Sequence, residues 1–147
     1  MKYKLTNETK TVDGITLRRI KALKSFDDVK KGDLGGWIER ESNLSREGDA
    51  WVSGDALVYG KARVSGNARV FGDAQVFGDA RVSGDAWVSG YAWVSGDARV
   101  SGDAQVYGYA WVSGDARVSG TEEPVSLSKS DTLSIGGKKY RLVEITD

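Results

Sequence analysis

Ala50-Trp-Val-Ser-Gly-Asp-Ala-Leu-Val-Tyr-Gly-Lys-Ala-Arg-Val-Ser-Gly-Asn67 writes one six-residue unit three times. The unit is Val-x-Gly-x-Ala-x. It continues to Thr121: Val recurs every six residues from Val52 to Val118, Gly follows each Val by two from Gly54 to Gly120, and Ala follows by four from Ala56 to Ala116. Such an internal repeat is read before anything else. A helix needs apolar positions three and four apart, and Gly in every unit would destabilise it further. Extended chain alternates its faces, so the residues on either side of each Val point away from it. The Gly that follows can take positive φ and bend the chain. Six residues therefore make one short strand and one corner, and three units close a triangle.

That closure predicts a period of eighteen residues, and the sequence has one. Ala62-Arg-Val-Ser-Gly-Asn67, Ala80-Arg-Val-Ser-Gly-Asp85, Ala98-Arg-Val-Ser-Gly-Asp103 and Ala116-Arg-Val-Ser-Gly-Thr121 stand eighteen apart. Their face carries Arg63, Arg81, Arg99 and Arg117. A second face carries Leu57, Gln75, Trp93 and Trp111 before its Val residues, and a third carries Trp51, Arg69, Trp87 and Gln105. The expected fold is all-β: a parallel β-helix with three units per coil and about four coils over residues 50–121.

The flanks read as caps. A β-rich segment, residues 1–49, precedes the array. Within it Lys10-Thr11-Val12 and Ile15-Thr16-Leu17 flank Asp13-Gly14, a strong hairpin signal. Trp37, Ile38 and Leu44 are candidates to plug the first coil. Beyond Pro124, which stops the repeat, residues 122–147 hold Thr132–Ile135, a Gly136-Gly137 turn and Lys138–Ile145, a second hairpin that caps its own chain or meets a neighbouring subunit.

Composition narrows the function. Among 147 residues, Lys plus Arg and Asp plus Glu are both 21, so the net charge is zero. That argues against an extended nucleic acid or a membrane as partner. With no Cys, disulfides and thiolate metal sites are excluded. With no His, the commonest general base and catalytic metal ligand are missing. No apolar run approaches a membrane span and no signal peptide opens the chain, so a cytoplasmic protein is expected, in a host cell if a phage encodes it.

Residues 50–121 resemble the hexapeptide-repeat, left-handed parallel β-helix family, whose pattern is an aliphatic residue followed by a small residue four positions later. Here Gly stands two after Val rather than one. Gly32-Asp-Leu-Gly-Gly-Trp-Ile38 with Asn43-Leu-Ser45 is similar to the leading segment of hexapeptide-repeat proteins of phages and prophages. The resemblance implies a homotrimer of parallel prisms with ligands in the clefts between subunits. Many family members are acyltransferases that use a His base, and one branch binds a metal through three His residues. Neither apparatus can exist in a chain without His. Asp73, Asp79, Asp85, Asp97, Asp103 and Asp115 all follow Gly and are read as turn residues. A non-enzyme without cofactor or metal is therefore expected, with a divergent acyltransferase as one alternative and a structural or assembly prism as another.

Binding residues are sought among outward positions. Trp51, Tyr59, Phe71, Phe77, Trp87, Tyr91, Trp93, Tyr107, Tyr109 and Trp111 lie at outer or corner positions, and none is on the Arg face. Some are expected to stack between coils, and the remainder to be buried between subunits. The Arg column reads as a solvated lattice alternating with Asp85 and Asp103, or as a phosphate-binding strip beside Ser65, Ser83, Ser101 and Ser119. The candidate ligand residues are Arg63, Arg69, Arg81, Arg99, Trp87, Trp93, Trp111, Tyr107 and Tyr109. Rings stack on a base and Arg engages phosphate, so the expected ligand is a flat anionic nucleotide-like molecule. Together with the phage resemblance this points to an anti-defence protein that sequesters a nucleotide immune signal or blocks a host defence protein.

Overall fold

The computed structural model describes residues 1–119 and, as backbone, the strands Thr132–Ile135 and Lys138–Arg141. The repeat forms a three-sided parallel β-solenoid. Each unit supplies a two-residue strand such as Arg63–Val64 or Trp93–Val94, with Val pointing inward and the residue before it outward. Strands eighteen residues apart pair in parallel, Val64 with Val82 and Val82 with Val100. The Arg face is a four-stranded sheet, and so is the face of Trp51, Arg69, Trp87 and Gln105. The third sheet has seven strands and runs through Leu57, Gln75, Trp93 and Trp111. Every Val and Ala of the repeat up to Val118 is buried, so the interior is filled by two small residue types in layers.

The corners show why Gly is invariant. Gly84 has φ +65°, and a Cβ there would lie 2.8 Å from Gly102 N in the next coil. Both the left-handed conformation and the close backbone stacking require its absence. Backbone hydrogen bonds then run from coil to coil, as from Asp85 N to Gly102 O at 2.8 Å.

The solenoid has about five turns rather than four. The added turn comes from before the regular repeat. Strands β1 (Tyr3–Val12) and β2 (Ile15–Ala22) form the expected antiparallel hairpin, with Asp13 at φ 50° and Gly14 at φ 80° in the turn. Strand β3 (Leu34–Ile38) pairs antiparallel with β2 on one side and parallel with Leu57–Val58 on the other. It thereby joins the hairpin to the solenoid. Ile38 takes the place of a repeat Val beside Val58, and Leu44 does so beside Val64. Gly35 permits this join: a Cβ there would lie 2.6 Å from both Ile20 Cγ1 and Val52 O.

Polar side chains close this end. Lys2 Nζ donates to Ala50 O at 2.8 Å, and the Tyr3 hydroxyl donates to Leu44 O at 2.6 Å. Asn43 is buried; its Oδ1 accepts from Glu39 N and Arg40 N, while Nδ2 donates to Ala62 O at 2.9 Å. Each buried backbone group so satisfied avoids a desolvation cost. At the other end Thr132–Ile135 and Lys138–Arg141 pair antiparallel, as expected. The stop at Pro124 lies outside the described residues, while Lys138–Arg141 lies against Trp111–Val112 of its own chain. No helix of the described residues is long and apolar enough to cross a membrane.

Candidate functional site

The three columns of outward residues meet different surroundings. On the Arg face, Arg63, Arg81, Arg99 and Arg117 stand one above another in register. All four are exposed. At the usual strand separation of about 4.8 Å they span about 14 Å. Beside them runs a hydroxyl column of Ser65, Ser83, Ser101 and Ser119. Ser45 begins it, because Ser45 N donates to Val64 O just as Ser65 N donates to Val82 O. Together these side chains line a groove of 1050 Å³. Its N-terminal end is marked by Glu47 and by the ion pair of Arg46 with Glu41. None of the described residues lining it is aromatic.

Among the described residues no carboxylate serves this column. Among the described residues, Arg63, Arg81, Arg99 and Arg117 make no side-chain ion pair or hydrogen bond. The expected alternation with Asp85 and Asp103 is not formed. Asp85 lies beyond the corner Gly, where Asn67 Nδ2 donates to its Oδ1 at 3.2 Å, and it lines a different concavity. Among the described residues nothing offsets the repulsion between neighbouring guanidinium groups.

Arg69 lies apart from the Arg column. It stands on the Trp87 face, where its Nη2 pairs with Asp27 and with Asp28 at 2.6 Å, both from the loop between β2 and β3. The hydrogen bond from Arg69 holds the Asp28 carboxyl below its ordinary value. Arg69 thus ties the cap to the solenoid. The concavity around it, 640 Å³, holds Asp49 and Asp85 besides, so carboxylates outnumber its single Arg and an anion is disfavoured.

The aromatic residues divide into two groups. Trp51 is 3 % exposed, packed edge-on by Tyr3 and Phe26. Tyr59 is 9 % exposed and stacks on Phe77 at 5.1 Å. These two were expected to face outward; the cap covers them. Most of the others stack from coil to coil. Tyr91 stacks on Tyr109 at 5.0 Å and Trp93 on Trp111 at 5.1 Å, while Phe71 meets Trp87 edge-on at 5.8 Å. Trp87, Tyr91 and Tyr107 remain well exposed.

Of the predicted Arg and aromatic residues, one protomer brings Arg69 and Trp87 together, in the concavity that Phe71 also lines. Arg63, Arg81 and Arg99 share one face whose described groove has no ring. The eighteen-residue period itself causes this separation, since it repeats each residue type on its own face. Sequence reading missed Ser45 and Arg46 in the groove. The signal was present: Leu44-Ser45 repeats the aliphatic-Ser pair of Val64-Ser65.

A family model described as "YdcK Beta solenoid repeat" matches residues 62–76, 74–90 and 92–108. This supports a repeat β-helix family for the central array. An Escherichia coli (strain K12) protein named "Uncharacterized acetyltransferase YdcK" is 39 % identical over 59 residues. The match covers 35 % of this chain and spans 18 % of the relative's length. Its name corrects the expectation of a non-enzyme. The absence of His excludes one kind of general base; it does not exclude acyl transfer, much of whose acceleration can come from positioning alone. The central array is thus a β-solenoid repeat with weak similarity to a protein named as an acetyltransferase.

Proposed function

We propose that the Arg face binds the phosphates of an acyl-donor coenzyme and that the chain serves acyl transfer. The observation that carries this reading is the in-register column of Arg63, Arg81, Arg99 and Arg117, unpaired among the described residues and flanked by hydroxyls. Guanidinium forks match phosphate oxygens bidentately, and Ser hydroxyls donate to the oxygens left over. In the transfer an acceptor amine or hydroxyl attacks the thioester carbonyl. The coenzyme leaves as a thiol, and the acceptor proton passes to solvent. The name of the relative supports the reaction class, and the groove supports the cosubstrate.

A homotrimer completes this reading. It would set the exposed edge of Trp87, Tyr91 and Trp93 of one protomer beside the Arg face of the next, which would supply the stacking surface that the Arg face lacks. A second reading uses the same composite cleft to hold a nucleotide tightly. The exposed rings favour it, and capture of a nucleotide immune signal by a phage-type anti-defence protein is its biological form.

Titration calorimetry with acetyl-CoA and with cyclic nucleotides, run beside a free-thiol assay with amine acceptors, separates the readings. Acetyl-CoA binding with thiol release supports transfer. Cyclic-nucleotide binding without thiol release supports capture. Binding of neither removes both. Arg81→Ala/Arg99→Ala is expected to weaken acetyl-CoA by about tenfold or more, since two charge-assisted contacts are lost. Trp93→Ala/Trp111→Ala should yield monomers in sedimentation velocity; an intact oligomer would show that these rings do not join subunits.

A further inference from the structure

The Arg column is longer than one phosphoryl group requires. With rungs about 4.8 Å apart, a single phosphoryl group reaches two neighbouring guanidinium groups at most. The column continues over four rungs in register, and the hydroxyl column beside it over five, Ser45 included. Full occupation requires anionic groups strung along about 14 Å parallel to the solenoid axis. The repulsion among the four cations, unrelieved by any described carboxylate, is relieved along its whole length by one such ligand.

Two further observations narrow the class. The described lining has no aromatic ring, so the groove cannot stack successive bases as single-stranded nucleic-acid grooves do. Glu47 and the Glu41–Arg46 pair stand at its N-terminal end, so a negatively charged chain meets carboxylates there and cannot run through. The groove suits an anionic chain with an end.

We infer that the Arg face is a rail for a linear oligophosphate of three or more phosphoryl groups, held end-on along Arg63, Arg81, Arg99 and Arg117, either free or as the tail of a nucleotide. This rests on the same groove as the proposed function and specifies how it counts phosphates.

The test is a calorimetric series of orthophosphate, pyrophosphate, tripolyphosphate and tetrapolyphosphate, with ATP as the nucleotide arm. Each added phosphoryl group should tighten binding about fivefold, the gain from one further charge-assisted contact. ATP should bind at least as tightly as tripolyphosphate, because its three phosphoryl groups meet the same rungs. Arg99→Ala should flatten the series after pyrophosphate, and Arg99→Lys, which keeps the charge and loses the fork, should restore part of the slope. These side chains are exposed, so the variants keep the fold, and Lys30→Ala, an exposed cation outside the groove, should leave the series unchanged.

A flat series overturns the inference. So does ATP binding far more weakly than tripolyphosphate, or Lys30→Ala abolishing the slope. Acetyl-CoA binding alongside a flat oligophosphate series overturns only this inference. A steep series without acetyl-CoA binding overturns only the acyl-donor reading.

Discussion

At the scale of single residues, the end of the solenoid depends on a few buried polar groups. Asn43→Ala would strand Glu39 N, Arg40 N and Ala62 O, and should cost about 2–4 kcal/mol in denaturant unfolding. Lys2 and Tyr3 make stability depend on pH in opposite directions. Burial pushes the Lys2 ammonium down from 10.5 to about 8. Between those values the unfolded chain carries more protons than the folded one, so stability rises with pH. Burial pushes the Tyr3 hydroxyl up from 10.0 to about 12, so above pH 10 the unfolded chain ionises first and stability falls. The thermal midpoint should climb from pH 8 to 10 and then turn down. Lys2→Met should remove the climb; an unchanged climb in that variant would assign it to another group.

At the scale of elements, equivalent positions in the repeat carry unequal energies. Trp51 and Trp87 occupy the same column two coils apart in one sheet, with Arg69 between them. Trp51 is buried under Tyr3 and Phe26 of the N-terminal segment, whereas Trp87 is half exposed. Trp51→Ala should cost about 3–5 kcal/mol and Trp87→Ala about 1 kcal/mol or less in urea unfolding. Equal costs would mean that the hairpin contributes nothing to the first coil. Arg69 shows the same dependence on context. Its column position resembles that of an exposed Arg, yet Asp27 and Asp28 from the β2–β3 loop claim it.

At the scale of the whole molecule, the eighteen-residue period is the unit that can be added or removed. Deleting residues 80–97 takes out one full turn. The remaining coils should stay folded, shorter by about 4.8 Å in small-angle scattering, with Arg63 then beside Arg99. Deleting residues 80–85 alone keeps every inward Val and Ala in sequence but rotates all later units by one face. Trp87 would then stand over Arg63, and oligophosphate binding should disappear while the β signal in circular dichroism persists. Retained binding in the shorter deletion would show that the Arg column is not the site. The period-six and period-eighteen patterns were enough by themselves to determine the three-sided cross-section, the buried Val and Ala, and the alignment of Arg63, Arg81 and Arg99. Each follows from local geometry repeated, since corner and strand are decided within six residues. Only the tertiary structure decided which outward groups are free. Ser45 joined the hydroxyl column, and Arg69, Trp51 and Tyr59 were taken up by the N-terminal segment, because those contacts depend on chain that follows no repeat.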